Sequence, residues 1–175
     1  MLAALLTAAR SQTLHLLNVK NMRVGKSSYT FILNKVIKQS RPGFKSPVIT
    51  FGAYPVDRRL CVFTVLQEYL FRTNSLRKSE SLFISYIAPY KEVTKNTISR
   101  WIRTVMSMSG VDTQVFKAHS ARSASVSSVA KFLPIEDILQ TAGWSSQCTF
   151  AKYYNKNVNK SSQSKFAETV LSQVS

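Results

Sequence analysis

Between Met22 and Phe51 the spacing of apolar side chains changes from a helical period to a strand period, and it changes back before Leu60. That switch limits the fold more than any other feature of the chain. Upstream, residues 2–18 carry leucines and alanines at helical spacing with Asn18 as the stop, which predicts one helix. Inside the window, Tyr29-Thr30-Phe31-Ile32-Leu33 and Val48-Ile49-Thr50-Phe51 are β-branched and aromatic runs that predict two strands. Lys38 to Gly43 separates them, and its Pro42-Gly43 pair marks a turn, so the two runs read as a small antiparallel sheet with a basic hairpin. Downstream the pattern is mainly helical. Asp57 opens a helix whose stripe is Leu60, Phe63, Val65, Leu66, Tyr69 and Leu70. Ser81 to Ser85 reads as a short strand, and Thr94 caps a helix that runs to about Ser109 and closes at Gly110. Further helices are expected over about 118–132, from Pro134 onward, and over about 147–154. The fold class that follows is α+β, mostly α-helical, with a small antiparallel sheet near the N-terminus.

Charge narrows the partner. The chain has 175 residues, 24 Lys+Arg against 8 Asp+Glu, and a net charge of +16. Its hydrophobic fraction of 45% is that of a globular protein, so the excess is not that of a basic disordered tail. Residues 1–60 carry the bases Arg10, Lys20, Arg23, Lys26, Lys35, Lys38, Arg41, Lys45, Arg58 and Arg59 against the single acid Asp57. A polyanion is the expected partner. Nucleic acid is favoured over a membrane surface, because no basic amphipathic helix with an aromatic face is visible. No apolar run is long enough to span a bilayer, and no signal-peptide layout is present. Cys61 and Cys148 sit in apolar helical patterns and read as small buried thiols, with no spacing that suggests a disulfide framework or a metal site.

One ordered set of residues carries chemistry. His119 and Arg122 are three apart on one expected helix, so their side chains share a face. A guanidinium presents a planar fork that matches two phosphate oxygens, and an adjacent imidazole can donate to the same phosphate or move a proton. Trp144, 22 positions after Arg122, offers one N–H and a large apolar body suited to a fixed hydrogen bond or to support of the site. The pair Tyr153-Tyr154 follows and supplies a phenolic oxygen whose ester to phosphorus would conserve the energy of a broken phosphodiester. Taken singly, each of these is an ordinary feature: a surface pair, a core aromatic, a packed tyrosine. The order and spacing of the set point to breaking a DNA strand through a phosphotyrosine bond.

The stretch 119–156 resembles the C-terminal half of the tyrosine recombinase (phage integrase) catalytic domain, which runs His-x-x-Arg, then Gly-His or Gly-Trp, then the nucleophilic tyrosine. Residues 97–128 and 142–156 are similar to the recombinases of DIRS-type retrotransposons, and the likeness extends back to about residue 5. The resemblance implies further residues. The family's first catalytic arginine sits in an N-terminal helix, and Arg10 takes that place here, with Thr13 standing where the family pattern has a glutamate. The family's general acid is a lysine on a β-hairpin, which implies Lys38, with Lys35 as second choice. Lys35, Arg41 and Lys45 are expected to contact DNA. Counting 32 from Arg122 gives Tyr154 as nucleophile, whereas counting nine from Trp144 gives Tyr153. The retrotransposon relatives carry an aromatic-Tyr pair with the second residue as nucleophile, which favours Tyr154 with Tyr153 as the alternative.

By the same resemblance, residues 1–158 form the catalytic domain and 159–175 a polar tail, with a short helix at about 162–172. The helical DNA-binding domain that precedes the catalytic one in the family is expected to be absent. Double-stranded DNA is the implied partner, with self-association into a tetrameric synapse, no membrane, no cofactor and no metal, because two arginines supply the charge. A nuclear location follows from the DNA substrate and eukaryotic relatives. The alternative is a relative of the same fold that binds DNA without cutting it. A basic module with no such chemistry would bind DNA indifferently to Arg122 and Tyr154.

Overall fold

The computed structural model describes residues 1–34, 48–144, Cys148 and Phe150. The chain starts not with one helix but with two: α1 (Leu2–Thr7) and α2 (Ser11–His15). They are separated at Ala8, which adopts the left-handed conformation at φ 47° and ψ 28°. A non-glycine residue there costs about 1–2 kcal/mol, so tertiary contacts must impose the break. Arg10 lies just beyond it as the extended N-cap of α2, rather than within a continuous helix.

The sheet has the strands β1 (Met22–Val24), β2 (Ser28–Ile32) and β3 (Val48–Gly52), antiparallel in that order. Strand alternation sends Tyr29, Phe31, Ile49 and Phe51 inward, and the register pairs Tyr29 with Phe51 and Phe31 with Ile49. Residues 35–47 of the connection from β2 to β3, including Lys35, Lys38, Arg41 and Lys45, lie outside the described residues. The sheet packs against α3 (Val62–Thr73), where Phe63 stacks on Tyr29 at 4.8 Å between ring centroids.

Asp57 caps a 3-10 turn at Arg58–Leu60, and α3 begins only afterwards, at Val62. This shift rotates the expected stripe. Val62 and Leu66 are buried, whereas Leu60 and Val65 face solvent. Ser81 to Ser85 forms no strand: it makes two isolated bridges, Asn18 with Ser81 and Ile84 with Glu92. Helix α4 (Lys95–Met108) follows the expectation closely, with the Thr94 hydroxyl accepting from Thr97 N–H and Gly110 at φ 78°. Helices α5 (Ser120–Val129) and α6 (Ile135–Ala142, after Pro134) complete the described elements. The expected helix at 147–154 and the tail at 159–175 fall outside the described residues, apart from Cys148 and Phe150. Cys148 is exposed, contrary to the buried thiol read from its apolar neighbours. Among the described residues, no helix is long and apolar enough to cross a membrane, and no cluster of metal-binding side chains occurs.

Two apolar clusters result. The larger joins the sheet to α1–α4 through residues such as Leu17, Phe31 and Leu82. The smaller gathers Val126, Ile138, Ala142 and Phe150 with Trp144 packed against it. The break after α1 passes between them, for Ala4 and Ala9 belong to the first and Ala8 to the second. Arg10 is thereby placed at the seam.

Cys61 is buried at the N-cap of α3, where its Sγ accepts from the Thr64 hydroxyl at 3.1 Å and from Tyr54 N–H at 3.2 Å. These donors pull the thiol down from its ordinary 9.0 to about 7, against the opposing effect of burial. An acid whose folded pKa lies below its unfolded value stabilises the fold in its charged form. That contribution is complete above pH 9, shrinks as pH falls toward 7, and is absent below it. The stability difference between wild type and Cys61→Ala, read from urea unfolding, is therefore expected to be larger at pH 9 than at pH 6.5.

Candidate active site

Helix α2 packs on α4, and α1 packs on α5. These two contacts bring three distant segments around one open pocket of about 360 Å³. The α1–α2 junction contributes Arg10, Ser11 and Gln12. Ser99 and Arg103, four apart on α4, come from the flank beside its buried stripe of Ile98, Ile102 and Met106. The segment that leads into α5 contributes Lys117, His119 and Arg122.

The electrostatics of this wall are one-sided. Arg10, Arg103, Lys117 and Arg122 line the pocket with His119, and no carboxylate is among the lining residues. His119, the residue that precedes α5, lines the same space, and the first turn of α5 carries no acid to oppose the positive end of the helix. An anion is the only ligand class that such a wall favours. The side chains of Arg10 and His119 make no hydrogen bond or ion pair among the described residues, so both can turn to a ligand.

Arg122 differs. It is 4% exposed at the pocket floor, and its fork engages the backbone. Nη1 donates to the carbonyl of Ala8, and Nη2 donates to that of Ala142 at 2.6 Å. The first carbonyl is the one at the left-handed break, two residues before Arg10; the second ends α6, just before Gly143 at φ 63°. A charge-assisted bond to each offsets the cost of these helix ends and fixes their positions. The Ser125 hydroxyl reinforces the grip by donating to the carbonyl of Leu5 on α1.

Trp144 is not among the residues that line the pocket. Its ring lies beneath the Arg122 guanidinium at 4.7 Å and meets Phe150 at 6.3 Å. Of the two uses its sequence position suggested, support of the site is the one this geometry displays. A desolvated cation–π contact is worth about 2 kcal/mol. Trp144→Ala is expected to lower unfolding stability by about 2–3 kcal/mol, less than a fully buried tryptophan would cost. Trp144→Phe should restore most of it, as read by thermal or urea unfolding.

Of the residues singled out in the sequence, Arg10, His119 and Arg122 share the pocket and Trp144 stands behind it. Tyr153, Tyr154, Lys35, Lys38, Arg41 and Lys45 lie outside the described residues. Sequence reasoning missed Arg103 and Lys117. Lys117 stands two residues before His119, a proximity that could have flagged it, whereas nothing local distinguishes Arg103 from a surface cation.

No family model matches the chain, and no curated protein matches it. Solved structures do. The chain superposes on XerA recombinase with a TM-score of 0.65 at 20% identity, covering 95% of this chain and 55% of that one. It superposes on XerH site-specific recombinase bound to palindromic difH substrate, in a post-cleavage complex, with a TM-score of 0.67 at 15% identity. That match covers 93% of this chain and 42% of the other. The pre-cleavage complex of XerH with difH gives 0.66 at 15% identity, covering 92% and 42%. At these identities the likeness is one of fold: the chain has the mixed α+β fold of these recombinases, and it spans about half of their length.

Proposed function

We propose that this chain is a tyrosine recombinase catalytic domain that breaks and rejoins double-stranded DNA through a 3′-phosphotyrosine intermediate. The observation that carries the reading is the convergence of Arg10, His119 and Arg122, from two distant parts of the sequence, on one carboxylate-free pocket. That the surrounding fold is shared with site-specific recombinases supports it.

In this reading Arg10 takes the scissile phosphate directly, because its guanidinium has no competing partner among the described residues. Arg122 supplies a second, buried positive charge at the pocket floor, where low polarity strengthens its effect on charge that develops at phosphorus. His119 donates to a non-bridging oxygen or moves a proton. Tyr154 attacks in line, with Tyr153 as the alternative; the P–O bond to the 5′ side breaks, and Lys38 gives its proton to the departing 5′-oxygen. Religation reverses these steps, and no cofactor enters the scheme. Lys35, Arg41 and Lys45 add backbone contacts, so binding should weaken steeply with salt through counterion release. The resemblance alone supports a mobile-element origin, nuclear action and assembly into a synapse on DNA.

The test is incubation with a nicked duplex that traps the cleaved strand, followed by a denaturing gel for protein attached to DNA. An adduct that forms with wild type and Tyr153→Phe and is lost in Tyr154→Phe is the expected result. Loss only in Tyr153→Phe would reassign the nucleophile. Salt-sensitive binding with no adduct would make the chain a DNA-binding relative that does not cut.

A further inference from the structure

We infer that the pocket seats two consecutive phosphates of one DNA strand: Arg10, His119 and Arg122 hold the one that is attacked, and Arg103 with Lys117 holds its neighbour. The inference rests on the reading above and adds to it a second anionic subsite. A single phosphodiester brings one negative charge, whereas the pocket wall presents four permanent cations and an imidazole with no carboxylate among them. The pocket is open and, at about 360 Å³, is not filled by a single phosphate group.

The pair of Lys117 and Arg103 is built differently from the first three residues. Lys117 is exposed, yet its ammonium is pinned, because Nζ donates to the carbonyls of Gln114 at 2.7 Å and Thr113 at 3.3 Å. An ammonium has three donors, so that arrangement leaves one available to a ligand. Ordering a lysine normally costs rotamer entropy, and the turn that holds Lys117 has already met that cost. Arg103, on α4, lines the same pocket as Lys117 and makes no side-chain hydrogen bond among the described residues. With Arg122 gripping backbone carbonyls, the exposed charge at the mouth comes from Arg103 and Lys117 beside the half-buried Arg10.

Three small probes make the test independent of any target sequence. The first is thymidine 3′-monophosphate. The second is a thymidine dinucleotide with a 3′-phosphate, which adds one phosphodiester. The third is that dinucleotide with a neutral methylphosphonate as its internal linkage. Affinities are measured at low salt by calorimetry for wild type, Arg103→Gln and Lys117→Gln. Both positions are exposed, so the variants should fold, which circular dichroism checks. Wild type should bind the dinucleotide about tenfold or more tighter than the mononucleotide, as charge-assisted contacts to a second phosphate imply. The methylphosphonate should lose that gain. Each variant should lose most of that gain, and its affinity for the mononucleotide should fall by much less. A gain that persists with the neutral linkage, or that neither substitution reduces, would overturn the inference. The absence of a covalent adduct would remove the strand-breaking function but leave this outcome readable, so the two claims fail separately.

Discussion

Arg122→Ala is expected to cost about 3–5 kcal/mol of folding stability as well as, on the proposed function, the cleavage chemistry. The reason lies in where its donors go. Nη1 and Nη2 reach the carbonyls of Ala8 and Ala142, which belong to elements 134 residues apart in the sequence (142 − 8) and to the ends of two helices. Removing the side chain leaves both acceptors buried without these donors, at about 1–3 kcal/mol each, and takes away the cation above the Trp144 ring. A domain has only about 5–15 kcal/mol in total, so partial unfolding near physiological temperature should follow. Arg122→Lys separates charge from shape. An ammonium keeps the positive charge but lacks the planar fork that spans two carbonyls, so a smaller loss of about 1–3 kcal/mol is expected. Urea unfolding of the three proteins checks the order wild type, Lys, Ala; equal stability for all three would show that the backbone bonds do not hold the seam.

Arg10→Ala should give the opposite signature. Its side chain makes no hydrogen bond or ion pair among the described residues, and it shares the pocket with Arg103, Lys117 and Arg122. Removing it relieves repulsion between like charges and breaks no described side-chain bond, so stability should change by no more than about 0.5 kcal/mol. The rate of covalent adduct formation should nevertheless fall on the order of 100-fold or more, the usual cost of losing a preorganised group that stabilises transition-state charge. Arg10→Lys should recover little, because a point charge does not reproduce bidentate contact with two phosphate oxygens. Adduct formation timed on a denaturing gel, with unfolding curves run beside it, reads both quantities. A stability loss as large as that of Arg122→Ala would mean that Arg10 is structural.

What could be read from the sequence was whatever local chemistry decides. Thr94 and Gly110 delimit α4 correctly because a hydroxyl cap and a left-handed glycine act within one turn of their own residues. The inward alternation of Tyr29, Phe31, Ile49 and Phe51 was legible for the same reason. The break at Ala8 was not. Leucine and alanine continue the helical pattern across it, and the group that helps hold the left-handed turn, Arg122, is 114 residues away. Ser81 to Ser85 looks like a strand by composition, but its two neighbours offer one bridge each, so no ladder forms. Three of the residues singled out in the sequence, Arg10, His119 and Arg122, line one pocket. Arg103 and Lys117 were hidden because a lone cation on a helix flank or in a turn means nothing until α2 packs on α4. The resemblance pointed to Arg10; the seam between the two apolar clusters explains why it reaches the pocket.

The most direct test of the central claim is peptide mapping of the protein after incubation with a nicked duplex and nuclease digestion. Trypsin releases Tyr153-Tyr154-Asn155-Lys156, which carries both candidate tyrosines, and fragmentation between them assigns the modification. The account predicts a nucleotide 3′-phosphate on Tyr154, absent when Arg10→Ala is treated in the same way for the same time. Unmodified tyrosine peptides from protein that demonstrably bound the duplex would contradict it.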